Sequence, residues 1–211
     1  MTSTPTAPTR YAVDLDAGHR AAVLDLVDAT HRLNLAVATT DLDEATLLRA
    51  RTVLDDLATE LGERRRDRVV RVGFEAPGIA RAAGLPYRIC AMNPWGVPLE
   101  VEFGTDEAHA TLVANALHEG PMDSVHGGVG AWLMDTMLGL IMQAQDQPAV
   151  TARLEIDYRA RTPLDEPLTL HARVARREGR KTWIEGWIEH DGRRTLEATG
   201  LFVAVDRTRR A

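Results

Sequence analysis

The stretch MDSVHGGVGAWLMDTMLGLIM, residues 122–142, sets one carboxylate, Asp135, deep in an otherwise apolar run. An ionised carboxylate among Trp132, Leu133, Met134, Met137 and Leu138 is costly unless it is paired or hydrogen-bonded. Such a group can act as a general base that activates water, or as a nucleophile toward an acyl carbon. It can equally sit on a narrow solvent-facing stripe, or pair with an arginine such as Arg153 or Arg159. Seven residues earlier, Gly127 and Gly128 stand where the helix must begin. Helix N-termini carry free N–H groups and a partial positive charge, and glycine lets a ligand approach the backbone closely. That combination suits an oxyanion or a polarised carbonyl, although paired glycines also make a tight turn into a helix without any ligand. Thr151 opens a strand after the Pro148 break; its hydroxyl can position water or the carboxylate, or it is simply a common strand residue.

Spacing adds a constraint. Gly128 and Asp135 are two helical turns apart, roughly 10 Å at about 1.5 Å per residue. They share a face but are too distant to grip one carbonyl group together. Two such helices crossing antiparallel at a two-fold axis bring the glycines of one chain to the carboxylate of the other. The expectation is an obligate homodimer with two equivalent sites.

The rest of the chain must position these groups. Its 211 residues, 45% apolar and 27% charged, suit a globular domain of ordinary size with an extension. A single cysteine, Cys90, gives no intramolecular disulfide signature. The start, MTSTPTAPTR, lacks the pattern of a signal peptide, and the longest apolar run, near 129–142, is too short to span a bilayer. A cytoplasmic protein without membrane association is expected. The net charge of −6 is uneven: Asp14 to Glu63 holds eleven acids against four arginines, whereas Arg64 onward holds twenty of each sign. No segment shows the basic excess of a nucleic-acid binder, and an anionic ligand belongs on the neutral second part.

Residues 1–12, rich in Thr, Pro and Ala, read as a disordered tail. Helical periodicity over about 15–38 and 41–63 predicts a helical hairpin within an extension spanning 13–68, with TTDLDEA supplying caps and Gly62 a stop. RRRDR at 64–68 reads as a solvated helix end. Residues 69–98, with four prolines and four glycines, read as a largely irregular linker. The main domain, 99–206, begins with two strand candidates at 99–104 and 108–114. A long apolar helix follows over 128–145, and then four strands at 149–160, 167–177, 181–190 and 194–205. EGRK and Asp191-Gly192 close hairpins. This is an α+β layout in which an antiparallel sheet wraps one central helix.

HGGVGAWLMD resembles the HGG(x)6D motif of hotdog-fold thioesterases, specifically the PaaI-like branch of the 4HBT superfamily. The EGP run before it, Thr151 after it, LEIDYRARTPL, EGRK and the closing ATGLFVAV follow in the same order, over roughly residues 93–206. The resemblance implies a hotdog fold, assembly as a homodimer or dimer of dimers, and hydrolysis of acyl-CoA thioesters without metal or cofactor. Carried over, it implies Asp135 as base or nucleophile and Gly127 or Gly128 as the amide that polarises the carbonyl. It further implies Thr151 as orienter of water and His126 as holder of the loop. The EGRK turn offers Arg180 and Lys181 to coenzyme A phosphates, with Arg161 a further candidate. Two departures stand out: Tyr158 is followed by Arg159, Ala160 and Arg161 where Arg-Pro is frequent, and Met122 and Asp123 replace a frequent Pro-Gly.

Two other readings compete. FGTDEAHA superficially resembles a hydratase motif, but Asp106 and His109 are three apart rather than five. A non-catalytic acyl-CoA-binding protein would use the same groove. Trp132, Met134, Met137 and Met142 can line an acyl tunnel or serve as ordinary core.

Overall fold

The computed structural model describes residues 15–70 and 75–205; the tail at 1–12 lies outside them. Close contacts group residues up to 70, with 92–94, into one unit and the remainder into a second. In the first unit, α1 spans Ala17–Thr39 and α2 spans Glu44–Gly62. Each begins on an aspartate. Asp16 accepts from the His19 amide and Asp43 from the Thr46 amide, both at 2.9 Å, which satisfies donors that have no partner within the helix. Both helices leave leucines in solvent, among them Leu26, Leu33, Leu47 and Leu57.

The second unit contains α3 (Ala76–Ala82), β1 (Tyr87–Ile89), β2 (Leu99–Phe103), β3 (Glu107–Val113), α4 (Gly127–Ala144), β4 (Ala149–Tyr158), β5 (Pro167–Glu178), β6 (Lys181–His190) and β7 (Arg193–Ala204). The strands form one antiparallel sheet in the order β1-β2-β3-β5-β6-β7-β4. Where the sequence reads as irregular linker, residues 69–98, the structure holds α3 and β1. Pro77 in the first turn of α3 starts that helix, since proline needs no amide partner there. β1 is only three residues long, below the length at which alternation is legible.

One face of the sheet carries the core. Alternate residues of each strand point at α4: Ala108, Ala110 and Leu112 on β3, Leu168 and Leu170 on β5, Ile184 and Ile188 on β6, and Leu196 and Phe202 on β7, all buried. α4 answers with Leu133, Met134, Met137, Leu138 and Ile141, each at most 2% exposed. A helix apolar on nearly every side is satisfied only by such enclosure. The helix comes close to the sheet at Gly186 of β6. A Cβ there would lie 2.9 Å from Leu138 Cδ2 and 2.9 Å from the His171 carbonyl oxygen, so only glycine lets the helix settle this close to the sheet. The β6–β7 hairpin turns at Asp191 (φ 48°) and Gly192 (φ 73°), the left-handed pair expected of a two-residue turn.

The opposite face is polar and aromatic. Trp187 stacks on His171 with ring centroids 5.0 Å apart, and Arg194 lies 4.2 Å from its ring centroid. Arg176 lies 3.7 Å from the Trp183 ring centroid. Arginine over an aromatic face is an attractive arrangement of charge and quadrupole.

The C-terminal end of α4 is tied down by a small polar network. Arg177 of β5 donates to Asp106 Oδ1 at 2.6 Å and to Gln145 Oε1 at 2.8 Å, while Gln145 Nε2 donates to the same Asp106 oxygen at 2.9 Å. The Arg177 hydrogen bond, helped by Gln145, holds the Asp106 carboxyl below the usual carboxylate range. A carboxyl depressed in the folded state stabilises it above the unfolded value of about 3.9, and that contribution disappears as pH falls through the folded value. Asp106→Asn should therefore make the fall of the urea midpoint between about pH 4 and pH 2 shallower than in the parent, with little change in its slope on pH above 6. Urea titrations across that range check this.

Candidate functional site

The acid in the apolar run has a partner. Thr151 Oγ1 donates to Asp135 Oδ1 at 2.9 Å, and the Asp135 side chain is half-buried rather than bathed by solvent. Neither candidate arginine pairs with it: Arg153 pairs with Glu155, and Arg159 bridges Asp157 and Glu197. One oxygen of the carboxylate is thus held by a hydroxyl, and no other side-chain hydrogen bond to Asp135 is made among the described residues.

A local irregularity makes this contact. On β4, Leu154, Ile156 and Tyr158 face α4, opposite Gly200, Ala198 and Leu196 of β7. By simple alternation Thr151, an odd-numbered residue, would face away. The register shifts between Thr151 and Arg153, so that Thr151 stands opposite buried Phe202 and Arg153 opposite Leu201. The extra residue, Ala152, flips the parity of the strand and returns the threonine to the helix face.

At the other end of the strand lies the start of α4. His126 is its N-cap, and Nδ1 accepts the Gly128 amide at 3.0 Å. The His126 carbonyl accepts from Val129 at 2.9 Å and Gly130 at 3.1 Å. Three of the four leading amides of the helix are therefore satisfied by one residue, and the Gly127 amide is the one without a partner among the described residues. Because Nδ1 is an acceptor, the neutral ring carries its proton on Nε2. Of the two glycines that the sequence offers for an oxyanion contact, Gly128 has its N–H engaged and Gly127 does not. The carbonyl of Gly127 accepts from the Tyr158 hydroxyl at 2.9 Å, a residue that spacing arguments do not single out. The only sequence signal was its place in LEIDY, two residues beyond Ile156 on the same strand face.

The remaining sequence candidates divide. Arg180 commits Nε and Nη2 to the Ala204 carbonyl at 3.1 and 2.7 Å, which closes the base of the β6–β7 ladder. The Lys181 and Arg161 side chains are exposed and have no hydrogen-bond or ion-pair partner among the described residues. Met134, Met137 and Met142 are buried at 3% exposure or less and serve as core. Trp132 is half-buried and meets exposed Trp95 edge-on at 5.9 Å. Asp106 is engaged with Arg177, and His109 pairs with Glu102 at 3.2 Å, so the hydratase-like pair does not converge. Burial pushes the Cys90 thiol up, away from nucleophilic use. A groove of about 700 Å³ lies on the polar sheet face, lined by Glu155, Asp157, Arg159, Trp187, Arg194 and Glu197. Its charges are already paired, Glu155 with Arg153 and the arginines Arg159 and Arg194 with Asp157 and Glu197, and it is on the far side of the sheet from Asp135. Among the described residues no cluster of His, Cys, Asp and Glu is placed to hold a metal ion, and no helix is long and apolar enough to cross a membrane.

Residues 122–195, which contain Gly127, Asp135 and Thr151, match the family model described as thioesterase superfamily. The match covers this segment alone. The superfamily's hotdog architecture is the one described above. A thioesterase superfamily protein of known crystal structure, 29% identical, aligns over 86% of this chain and 94% of its own with a TM-score of 0.73. Acyl-coenzyme A thioesterase THEM4 of Rattus norvegicus is 32% identical over 98 residues, covering 45% of this chain and 42% of that protein. The Mus musculus protein of the same name is 32% identical over 99 residues, covering 46% and 43%. This chain therefore spans less than half the length of the curated relatives it matches.

The cap generates a stability expectation. His126→Ala should cost about 1 kcal/mol, as loss of an N-cap does, while His126→Asn, whose side chain can accept the same amide, should recover most of it. Urea midpoints of the three proteins decide.

Proposed function

We propose that the protein hydrolyses acyl-CoA thioesters to a free acid and coenzyme A, as a member of the PaaI-like branch of its superfamily. The observation that carries this reading is the Asp135 carboxylate, held through one oxygen by Thr151, on a helix that begins with an unengaged amide at Gly127. The superfamily match and the acyl-coenzyme A thioesterase names of its relatives support the substrate class.

The chemistry assigns one role to each group. Asp135 takes a proton from water as the water oxygen bonds to the thioester carbonyl carbon. The Gly127 amide donates to the oxygen that becomes negative. Collapse of that intermediate breaks the carbon–sulfur bond, and the departing coenzyme A thiolate regains the proton from Asp135. A direct attack by Asp135 on the carbonyl carbon is the second form of the same site. In either form Thr151 fixes the carboxylate, leaving its second oxygen for the reacting partner.

Gly127 and Asp135 lie about 12 Å apart along α4, so the glycine and the carboxylate of one site come from different subunits. β4 is the terminal strand of the sheet, and its ten residues present an unpaired edge, which proteins seldom leave open. Antiparallel pairing of β4 with β4 of a second copy joins the two sheets and brings the two α4 helices together, giving a homodimer with two sites; a dimer of dimers extends the same assembly. Arg161 and Lys181, with no partners of their own, are the cations available to coenzyme A phosphates, and Arg180 retains a free Nη1. The setting proposed is the cytoplasm.

Two measurements test the reading. Free thiol released from a panel of short, medium, long and aromatic acyl-CoAs should exceed background, and Asp135→Asn should lower kcat about a hundredfold or more with an unchanged urea midpoint. Binding of acyl-CoA without thiol release would favour a non-catalytic acyl-CoA-binding protein, and an Asp135→Asn enzyme of full activity would remove the carboxylate from the mechanism. Separately, Arg161→Ala should raise KM for a CoA ester severalfold while leaving KM for the corresponding acyl-pantetheine, which lacks the nucleotide, unaltered. Equal changes for both esters would reject a phosphate contact.

A further inference from the structure

Glycine at position 127 poses a problem that the structure also solves. A Cβ there would lie 3.1 Å from the Tyr158 hydroxyl oxygen and 3.2 Å from two ring carbons. The site accordingly takes glycine, whose backbone otherwise rotates more freely than that of any other residue. An amide meant to meet a developing negative charge must instead be held still before the reaction, because its value lies in being oriented in advance.

Both peptide planes flanking the Gly127 Cα are pinned. The plane before it, which carries the Gly127 N–H, is fixed through the His126 carbonyl by the Val129 and Gly130 amides. The plane after it is fixed at both ends: the Gly128 N–H donates to His126 Nδ1 at 3.0 Å, and the Gly127 carbonyl accepts from Tyr158 at 2.9 Å. All of these contacts are local to the helix start except one. Tyr158 comes from β4, thirty-one residues along the chain, and ties the helix start to the strand that also carries Thr151.

We infer that Tyr158 is a positioning residue: its hydroxyl fixes the Gly127 peptide so that the neighbouring Gly127 N–H points at the reacting carbonyl. The inference rests on the hydrolase reading above. Its ring packs on the glycine and its hydroxyl supplies the restraint that glycine lacks.

Tyr158→Phe separates the two contributions, since the ring stays and the hydroxyl goes. Loss of one such hydrogen bond should lower kcat about fivefold to tenfold, with KM within twofold of the parent, because the restraint matters for the transition state and not for ground-state binding. Amide hydrogen exchange, read by NMR on the full chain, supplies a measurement independent of activity. Exchange at Gly128 should accelerate at least fivefold in the variant, with Leu133 and Leu138 in the middle of α4 unchanged. An unchanged kcat, a change confined to KM, or acceleration spread evenly along α4 would each overturn the inference. Should the parent release no thiol from any acyl-CoA, the hydrolase reading fails on its own account. Exchange then decides alone: local acceleration at Gly128 upholds Tyr158 as the residue that holds this peptide, and no acceleration overturns it.

Discussion

One extra residue in a strand governs the site. Without the bulge at Ala152, the face of β4 that carries Leu154, Ile156 and Tyr158 could not also carry Thr151, and Asp135 would stand in an apolar enclosure with nothing to accept from. The register of β4 on β7 is fixed by burial on its inner side, so the bulge cannot relax away without turning apolar side chains outward. A hydroxyl–carboxylate contact of ordinary strength is thereby maintained by the packing of a whole sheet.

The same strand reaches the helix at two points, Thr151 on Asp135 and Tyr158 on Gly127. These are the two groups to which the proposed hydrolysis assigns the base and the amide. A carboxylate and an amide on one helix would be poorly controlled if each depended on separate loops. Here a single rigid element sets both, and the closeness of helix to sheet at Gly186 leaves little room for either to drift.

Much of this was legible in the sequence, for physical reasons that differ from element to element. The strands β3, β5, β6 and β7 alternate because one face is buried, and α4 reads clearly because a helix enclosed by a sheet must be apolar nearly all round. Asp43 and Asp191-Gly192 announce themselves because caps and tight turns restrict residue type. What escaped was non-local or too short. β1 and α3 are supported by their neighbours rather than by their own pattern. The bulge leaves only a parity mismatch between Thr151 and Leu154 as its trace. That His126 takes the Gly128 amide, leaving Gly127 free, depends on a ring rotamer that no spacing rule conveys. The hydrogen bond of Tyr158 leaves no local trace, because its partner is a backbone carbonyl thirty-one residues away.

The helix that carries Asp135 is fastened at both ends, by His126 and Tyr158 at its start and by the Asp106, Gln145 and Arg177 network at its finish. A rod anchored at each end neither slides nor turns about its axis without breaking one of the anchors. The helix therefore works as a fixed datum, and under the proposed hydrolysis accommodation of differently shaped acyl groups would fall to side-chain rotamers and to whatever lies across the open edge of β4.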